Sequence, residues 1–426
     1  MRTSSLVTTA PLAIAVAVVT VAVVVRVQRP GLPPPGTATV TVTSSDAGSA
    51  SAASSGLDAA LRAPPGGAVD AAVVRGGPRM LHGGPRRTHR SAGRGPGRAE
   101  PRWRANVGGA VSAQVVTSPD EQTLYVATHA GSLLALSRAD GTTRWQVALG
   151  ERVYSTPLVL DDGTIFVGSD GKKLASITKD GVVSWRLEVE GEIDGGPVLG
   201  KDGNVVFAAG PNVYAVRRGG DLAWRFATKG KVYTSPAVAD DGTIVFGAQD
   251  DRVRALTPAG ALAWEVDLGS DVDGSPAITD DGRVVVGTDK GEVVCLDGKG
   301  ALQWRTPVGG FVRGALSVAR NGDVLAGTYG PVPRMVRLAP DGAIRGAFAI
   351  HGTGAREFGI HGGALEDADG ALYFGGQDDV VRAIGPDGAE RWRFTMGADV
   401  DAPVTMLDDG SLVIASEDGT ITMLLP

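Results

Sequence analysis

Seven side chains able to bind or titrate stand at one place in a repeating pattern: Tyr154, Asp194, Tyr233, Asp273, Arg313, His361 and Asp401. Each lies eight residues before an Asx-Gly pair, and Ser112 takes the same place in a first, divergent copy that ends in Asp120-Glu121. The neighbouring positions stay Val, Ile, Gly, Ser or Thr, with Ala113 and Ala402 beside the first and last members, so this column is where the repeats are free to differ. Carboxylates, phenols, a guanidinium and an imidazole suit the binding of a polar ligand, a cation or a peptide. Catalysis is harder to read from them, because neither a Ser-His-Asp set nor a paired-carboxylate arrangement can be assembled. Asp271-Val-Asp273 and Asp399-Val-Asp401 repeat an acidic pair, but alternate residues of a strand point to opposite faces, so neither pair is expected to chelate jointly. No catalytic residue and no metal ligand is assigned.

A second group sits in two longer connections, GTYGPVPRM and FAIHGTGAREFGIHGG, which carry Tyr329, His351, Arg356, Glu357 and Phe358. Loops on a rigid scaffold are where binding residues concentrate. His351, His361 and Glu357 are the residue types of a metal site or an acid-base pair, yet in a Gly-rich loop they are expected to act as surface hydrogen-bonders. Tyr329, His351, Arg356 and Glu357 join the ring column as candidate binding residues.

The elements that must hold these groups are set by the repeat. Trp occurs at 103, 145, 185, 224, 264, 304 and 392, at spacings of 42, 40, 39, 40, 40 and 88 residues, the last being two periods. In the skipped place, DGAIRGAF, Gly346 stands where Trp is expected and Phe348 comes two residues later, so Phe348 reads as the substitute plug. Within each period a short apolar segment, an Asx-Gly turn, an alternating strand, another strand, a second turn and the Trp strand recur. Asp-Gly and Asn-Gly tolerate the positive φ of tight hairpins. Four antiparallel strands per period of about 40 residues is the plan of a propeller blade. The three-strand unit occurs eight times, and the chain ends at Pro426 before the eighth gains its Trp strand. The segment PRWRANV around Trp103 is the spare. An all-β, eight-bladed propeller over 101–426, closed by this N-terminal strand, is therefore predicted, with the variable column at the mouth of the central channel.

Units such as VRALTPAGALAW, LLALSRADGTTRW and VVRAIGPDGAERW resemble the repeats of the pyrroloquinoline-quinone (PQQ) type β-propellers, from Trp103 to Pro426. That family includes quinoprotein alcohol dehydrogenases and a non-catalytic outer-membrane assembly lipoprotein. For the enzyme branch, the resemblance implies a Ca²⁺ held by side-chain oxygens, a catalytic Asp, a vicinal Cys pair and long insertions over the quinone. The single Cys295 forbids the Cys pair, and it stands where other repeats have Ala215, Ala255 or Ala383, so it reads as a small core filler. The lipid-bearing Cys of the lipoprotein is also missing from the N-terminal segment. No cofactor is assigned, and PQQ has no specific residues to hold it.

The N-terminal region reads differently. Leu6 to Val25 is twenty uncharged residues, long enough for a membrane-crossing helix, so 1–30 is expected to be a signal anchor or signal peptide. Arg26 and Arg29 after the run, against Arg2 before it, work against export of the C-terminal part. Residues 31–100, rich in Pro, Gly, Ala, Ser and Arg, are expected to be a disordered linker. Its arginines have anionic lipid, nucleic acid and the acidic body of the protein as conceivable partners, with a solvated tether as the expected state. Up to Arg104 there are 13 Arg and four acidic residues, a net +9, whereas the rest carries −15, within a total of −6. An acidic body argues against a nucleic-acid platform.

The function expected from the sequence is a non-catalytic, membrane-tethered propeller of the cell envelope, on its periplasmic or extracellular side. It would be a monomer that holds a protein partner or a small polar ligand. The alternative is a reduced quinoprotein-type oxidoreductase with PQQ at the channel mouth.

Overall fold

The computed structural model describes residues 77, 79–355 and 357–426; the apolar run, the expected linker up to residue 76 and Arg356 lie outside the described residues. The described strands form eight four-stranded antiparallel sheets, the blades of a propeller. In blades 1 to 7, sequence order is order outward from the axis. Blade 2, for example, runs Leu158–Val159, Ile165–Ser169, Lys173–Ile177 and Val183–Glu188. Blade 8 ends with Thr420–Leu424, and its outermost strand is Pro101–Asn106, with Trp103 opposite Met423 and Asn106 opposite Thr420. The ring is thus closed by strand exchange between the two ends of the propeller sequence, which leaves no blade incomplete.

Sequence chemistry explains each layer. The hairpin glycines Gly163, Gly203, Gly242, Gly282, Gly322, Gly370 and Gly410 all have φ between 79° and 91°, a region L side chains avoid. The middle strands are almost entirely buried, while the outermost strands alternate exposed and half-buried positions, because only one of their faces meets a neighbouring blade. Just before each variable residue stands an aliphatic one, Val111, Val153, Ile193, Val232, Val272, Val312, Ile360 or Val400, all buried. These wedge between blades, so close that a Cβ on Gly247 would lie 2.3 Å from Val272 Cγ1. Packing holds one position constant and releases the next to the channel.

The tryptophans latch blade to blade. Most indole N–H groups donate to a turn carbonyl, as Trp145 to Lys179 (2.9 Å), Trp224 to Pro258 (2.8 Å) and Trp304 to Pro340 (2.9 Å). The ring lies on the turn glycine two residues beyond, such as Gly181, Gly260 or Gly342. In most blades the Trp stands opposite a small cross-strand residue, for example Ala255 opposite Trp264 and Cys295 opposite Trp304. Blade 6 departs from this. Phe348 packs edge-on against Phe374 at 6.1 Å, in the same way that Phe226 meets Phe246 at 6.2 Å in blade 3, where Trp224 is also present. Phe348 therefore fills its own position and does not substitute for the missing Trp, contrary to the expectation from sequence.

The largest departure from that expectation concerns the end of the linker. Residues 79–100 pack around the axis at the Asx-Gly end of the ring. Their carbonyls accept from innermost-strand amides: Arg79 O from Val159 N, Pro85 O from Val238 N, Arg86 O from Ile278 N, Thr88 O from Val318 N and His89 O from Glu366 N, at 2.8 to 3.1 Å. This strap passes from blade 2 to blade 7 and then enters the closing strand. Its arginines meet the acidic turns: Arg79 pairs with Asp161, Arg86 with Asp280 at 3.1 Å, Arg90 with Asp280 at 2.8 Å and Arg94 with Asp369 at 3.4 Å. The acidic body is the partner of this part of the arginine run. Two causes act together: the turns gather carboxylates at one end of the ring, and the inner-strand amides there need acceptors.

Candidate functional site

The innermost strands begin at the mouth of the channel and end at the strap, so the channel is a cup of about 380 Å³ rather than a through-hole. Ser112, Tyr154, Asp194, Tyr233, Asp273, Arg313 and His361 line it, with Tyr329 from the blade 6 loop and Leu81 of the strap. Asp401 is not among the lining residues; blade 8 contributes Pro403 instead, while Gln377 Nε2 donates to Asp401 Oδ2 at 3.1 Å. Of the loop candidates, the Tyr329 hydroxyl meets His361 Nδ1 at 2.8 Å, and Glu357 accepts from Arg313 Nη1. His351 is exposed and outside the cup, with its backbone N–H directed to Asp378 Oδ2 at 3.3 Å. Arg356 lies outside the described residues.

A second variable column was missed in the sequence. One or two residues after the second strand of each blade stands His129, Asp170, Gly210, Gln249, Asp289, Tyr329, Gln377 or Glu417. Most of these side chains reach the ring residue of the next blade. Gln249 donates to Asp273 (3.3 Å) and Gln377 to Asp401, Asp289 accepts from Arg313 (2.7 Å), and His129 packs on Tyr154 with ring centroids 4.3 Å apart. The signal was present in alignment on the same turns, as AQD, TDK, TYG and GQD. Its variation only makes sense once adjacent blades are placed side by side.

These pairings leave the acids incompletely satisfied. Asp273 Oδ1 and Asp401 Oδ1 are buried and without a hydrogen-bond partner among the described residues. Burial pushes the Asp194 carboxyl up to about 6, helped by Asp170 and Glu192. It does the same to Asp273, which Gln249 pulls partly back while Asp289 and Asp271 add to the rise. Asp399 is likewise raised to about 6, by burial and then by Asp401. Arg313 is held above its ordinary range by Asp289, and burial lifts Tyr329 well above the usual phenol.

The floor of the cup is chemically closed. Arg87 is fully buried, and its guanidinium donates to Leu81 O (2.8 Å), Pro236 O (3.0 Å) and Gly196 O (3.2 Å). Burial lowers it to about 9, still protonated at neutral pH. His82 and His89 stack in parallel with centroids 4.0 Å apart. Burial brings His82 down to about 4 against the upward pull of the Gly362 carbonyl, and takes His89 well below the ordinary value. Gln114, the residue two beyond Ser112, ties the tiers together: its Oε1 accepts from His82 N at 2.7 Å and its Nε2 donates to Val404 O at 3.2 Å.

The family model for outer membrane protein assembly factor BamB matches residues 97–194, 178–258 and 249–330. Among curated proteins, the outer membrane protein assembly factor BamB of Escherichia coli (strain K12) is 26% identical over 110 residues, 23% of this chain and 28% of that protein. The protein of the same name from Shigella dysenteriae serotype 1 matches to the same extent. The chain thus spans under a third of the length of these relatives. Among solved structures, BamB from Moraxella catarrhalis is 16% identical with a TM-score of 0.62, covering 76% of this chain and 99% of that one. A quinohemoprotein alcohol dehydrogenase from Comamonas testosteroni is 12% identical with a TM-score of 0.70, covering 82% and 80%. A europium-containing methanol dehydrogenase is 13% identical with a TM-score of 0.64, covering 80% and 89%.

The donor chemistry of the cup does not fit a quinone held beside a metal ion. Its carboxylates come from blades 3 and 5, no three His, Cys, Asp or Glu among the described residues converge as ligands, and Cys295 is buried inside blade 5 under Trp304. The repeat, the ring of eight blades and a family match over more than half of the sequence lead to one conclusion: the chain belongs to the PQQ-repeat β-propeller family described as outer membrane protein assembly factor BamB.

Proposed function

We propose that the protein is a non-catalytic scaffold of the cell envelope that holds a segment of a protein partner, or a small polar ligand, in its axial cup. The observation that carries this reading is a blind cup whose constant positions are packing residues and whose variable positions are polar, with the Asp273 and Arg313 side chains on its wall. Strapped at one end, the cup offers a partner one face. The carboxylates around it favour an incoming group with positive charge and hydrogen-bond donors. The assembly role named for the matched relatives supports the scaffold reading, and the apolar run Leu6–Val25 supplies a tether to the membrane.

Chemical cross-linking in intact cells tests it. Arg313→Ala with His361→Ala opens the Arg313–Glu357 and Tyr329–His361 contacts at the rim. The double variant is expected to lose an envelope cross-link that the wild type gives, while it still unfolds cooperatively with only a modest drop in melting temperature. Equal cross-linking in both would sink the mouth as the contact site. Thermal unfolding with PQQ, with and without Ca²⁺, addresses the oxidoreductase alternative: saturable stabilisation by the quinone would favour turnover over scaffolding.

A further inference from the structure

The missing Trp of blade 6 leaves a slot that the other blades define by what fills it. A cavity of about 440 Å³ opens between blades 6 and 7, lined by Leu325, Met335, Phe348, Phe374, Gly346 and Gly388, with the Pro386 carbonyl at its edge. At six other junctions, an indole lies on the turn glycine and donates to the carbonyl two or three residues before it: Gly141 with Arg138, Gly181 with Lys179, Gly220 with Arg218, Gly260 with Pro258, Gly300 with Gly298 and Gly342 with Pro340. At the blade 6–7 junction Gly388 keeps the same positive φ of 80° and nothing lies within 4 Å of where its Cβ would be. No donor among the described residues meets Pro386 O. Gly346, at the Trp position, also has open space around its Cβ.

Two arginines border the slot without filling it. Arg337 stands opposite Gly346 and donates to the buried Asp323 at 2.6 Å, and Arg345 meets the other oxygen of Asp323 at 3.1 Å. Their charges are shared with Asp323, and with Asp387 also on the rim the slot combines a largely apolar wall with carboxylates, a setting that favours an aromatic ring over a free anion.

We propose that this slot binds a tryptophan side chain presented by another protein, with the indole N–H donated to Pro386 O and the ring laid on Gly388. The occupant comes from outside the chain. Residues 1–100 contain no Trp, and all seven tryptophans of the propeller donate to carbonyls in their own slots. The slot faces the outer wall of the ring, away from the cup, so this contact is separate from the one proposed for the mouth. An indole needs both the apolar wall and the carbonyl acceptor, and a phenyl ring would leave the acceptor unused.

The test uses the full chain and N-acetyl-tryptophanamide as probe, monitored by ligand-observed NMR. Saturable binding is expected, at least fivefold weaker for the phenylalanine analogue. Gly346→Trp restores the side chain that seven blades possess. It should abolish probe binding and raise the melting temperature by about 2–4 °C, by filling the slot and by replacing a glycine outside the positive-φ region. Gly346→Leu, a smaller filler, should weaken binding about tenfold and keeps the test meaningful if the Trp variant folds poorly. Absence of saturable binding, or binding unchanged by either substitution, would overturn the proposal. So would binding of free indole alone, because a side chain carried on a backbone would then be unable to reach the slot.

Discussion

The two ends of the axial channel are built by the same eight innermost strands and solve opposite problems. At the mouth, Asp194 and Asp273 line the cup and are lifted to about 6, and buried oxygens of Asp273 and Asp401 remain unmatched. At the floor, a cation and two imidazoles are buried more deeply, yet the guanidinium and His82 are surrounded by backbone carbonyls. A buried polar group is costly only when it lacks partners. Arg87 therefore contributes to stability through its carbonyl partners, whereas the Asp273 and Asp401 oxygens at the mouth, like His89 Nδ1 at the floor, are buried without a hydrogen-bond partner among the described residues and draw on it.

This contrast can be broken by substitution, most severely at the floor. Arg87→Ala leaves the carbonyls of Leu81, Gly196, Pro197 and Pro236 without their donor, and a loss of about 3–5 kcal/mol in urea unfolding is expected. A loss below about 1 kcal/mol would show that the Arg87 guanidinium is not what makes the floor stable.

Acid comes next. His82 is neutral when folded, at about 4, and titrates near 6.5 when unfolded. As pH falls below about 6.5 the unfolded chain takes up the proton first. The stability contributed above 6.5 is lost on the way down to about 4, of the order of 3 kcal/mol. His82→Gln should flatten this limb of a melting-temperature profile, and an unchanged slope would place the acid sensitivity elsewhere. The mouth has the reverse sign. Asp194 and Asp273 are raised, so their contribution is present below about 3.8 and disappears as pH rises through about 6. Asp273→Asn is accordingly expected to stabilise by about 1 kcal/mol at pH 7 and to give no gain at pH 4. Destabilisation at pH 7 would mean that the carboxylate is satisfied after all. The smallest effect concerns the loops: Tyr329→Phe removes the hydroxyl at 2.8 Å from His361 Nδ1 and should cost about 0.5–1 kcal/mol, read as a small downward shift in melting temperature.

Much of this architecture is legible in the sequence. The Trp and Asx-Gly periods specify eight blades, and the surplus Trp103 strand identifies the closure, because a repeat that must pack against copies of itself writes its geometry into spacing. The ring column was legible for the same reason: seven of its eight members line the cup. The second column escaped notice because Gln249 or Asp289 acquires meaning only from Asp273 or Arg313 on the adjacent blade. Phe348 was misread as a stand-in for Trp because spacing along a strand shows which face a residue is on, and says nothing about how far it reaches toward the next blade.

The strap marks the boundary between the two kinds of knowledge. By itself, the sequence determined the blade count, the hairpins and the residues that vary around the axis, since these depend on local propensity and on a period that repeats. That RMLHGGPRRTHR, residues 79–90, closes one end of the channel was decided by tertiary structure alone. Such a segment, rich in Gly, Pro and Arg, has no apolar period to declare a fold, and it becomes ordered only where a finished ring supplies free amides, carbonyls and a circle of aspartates.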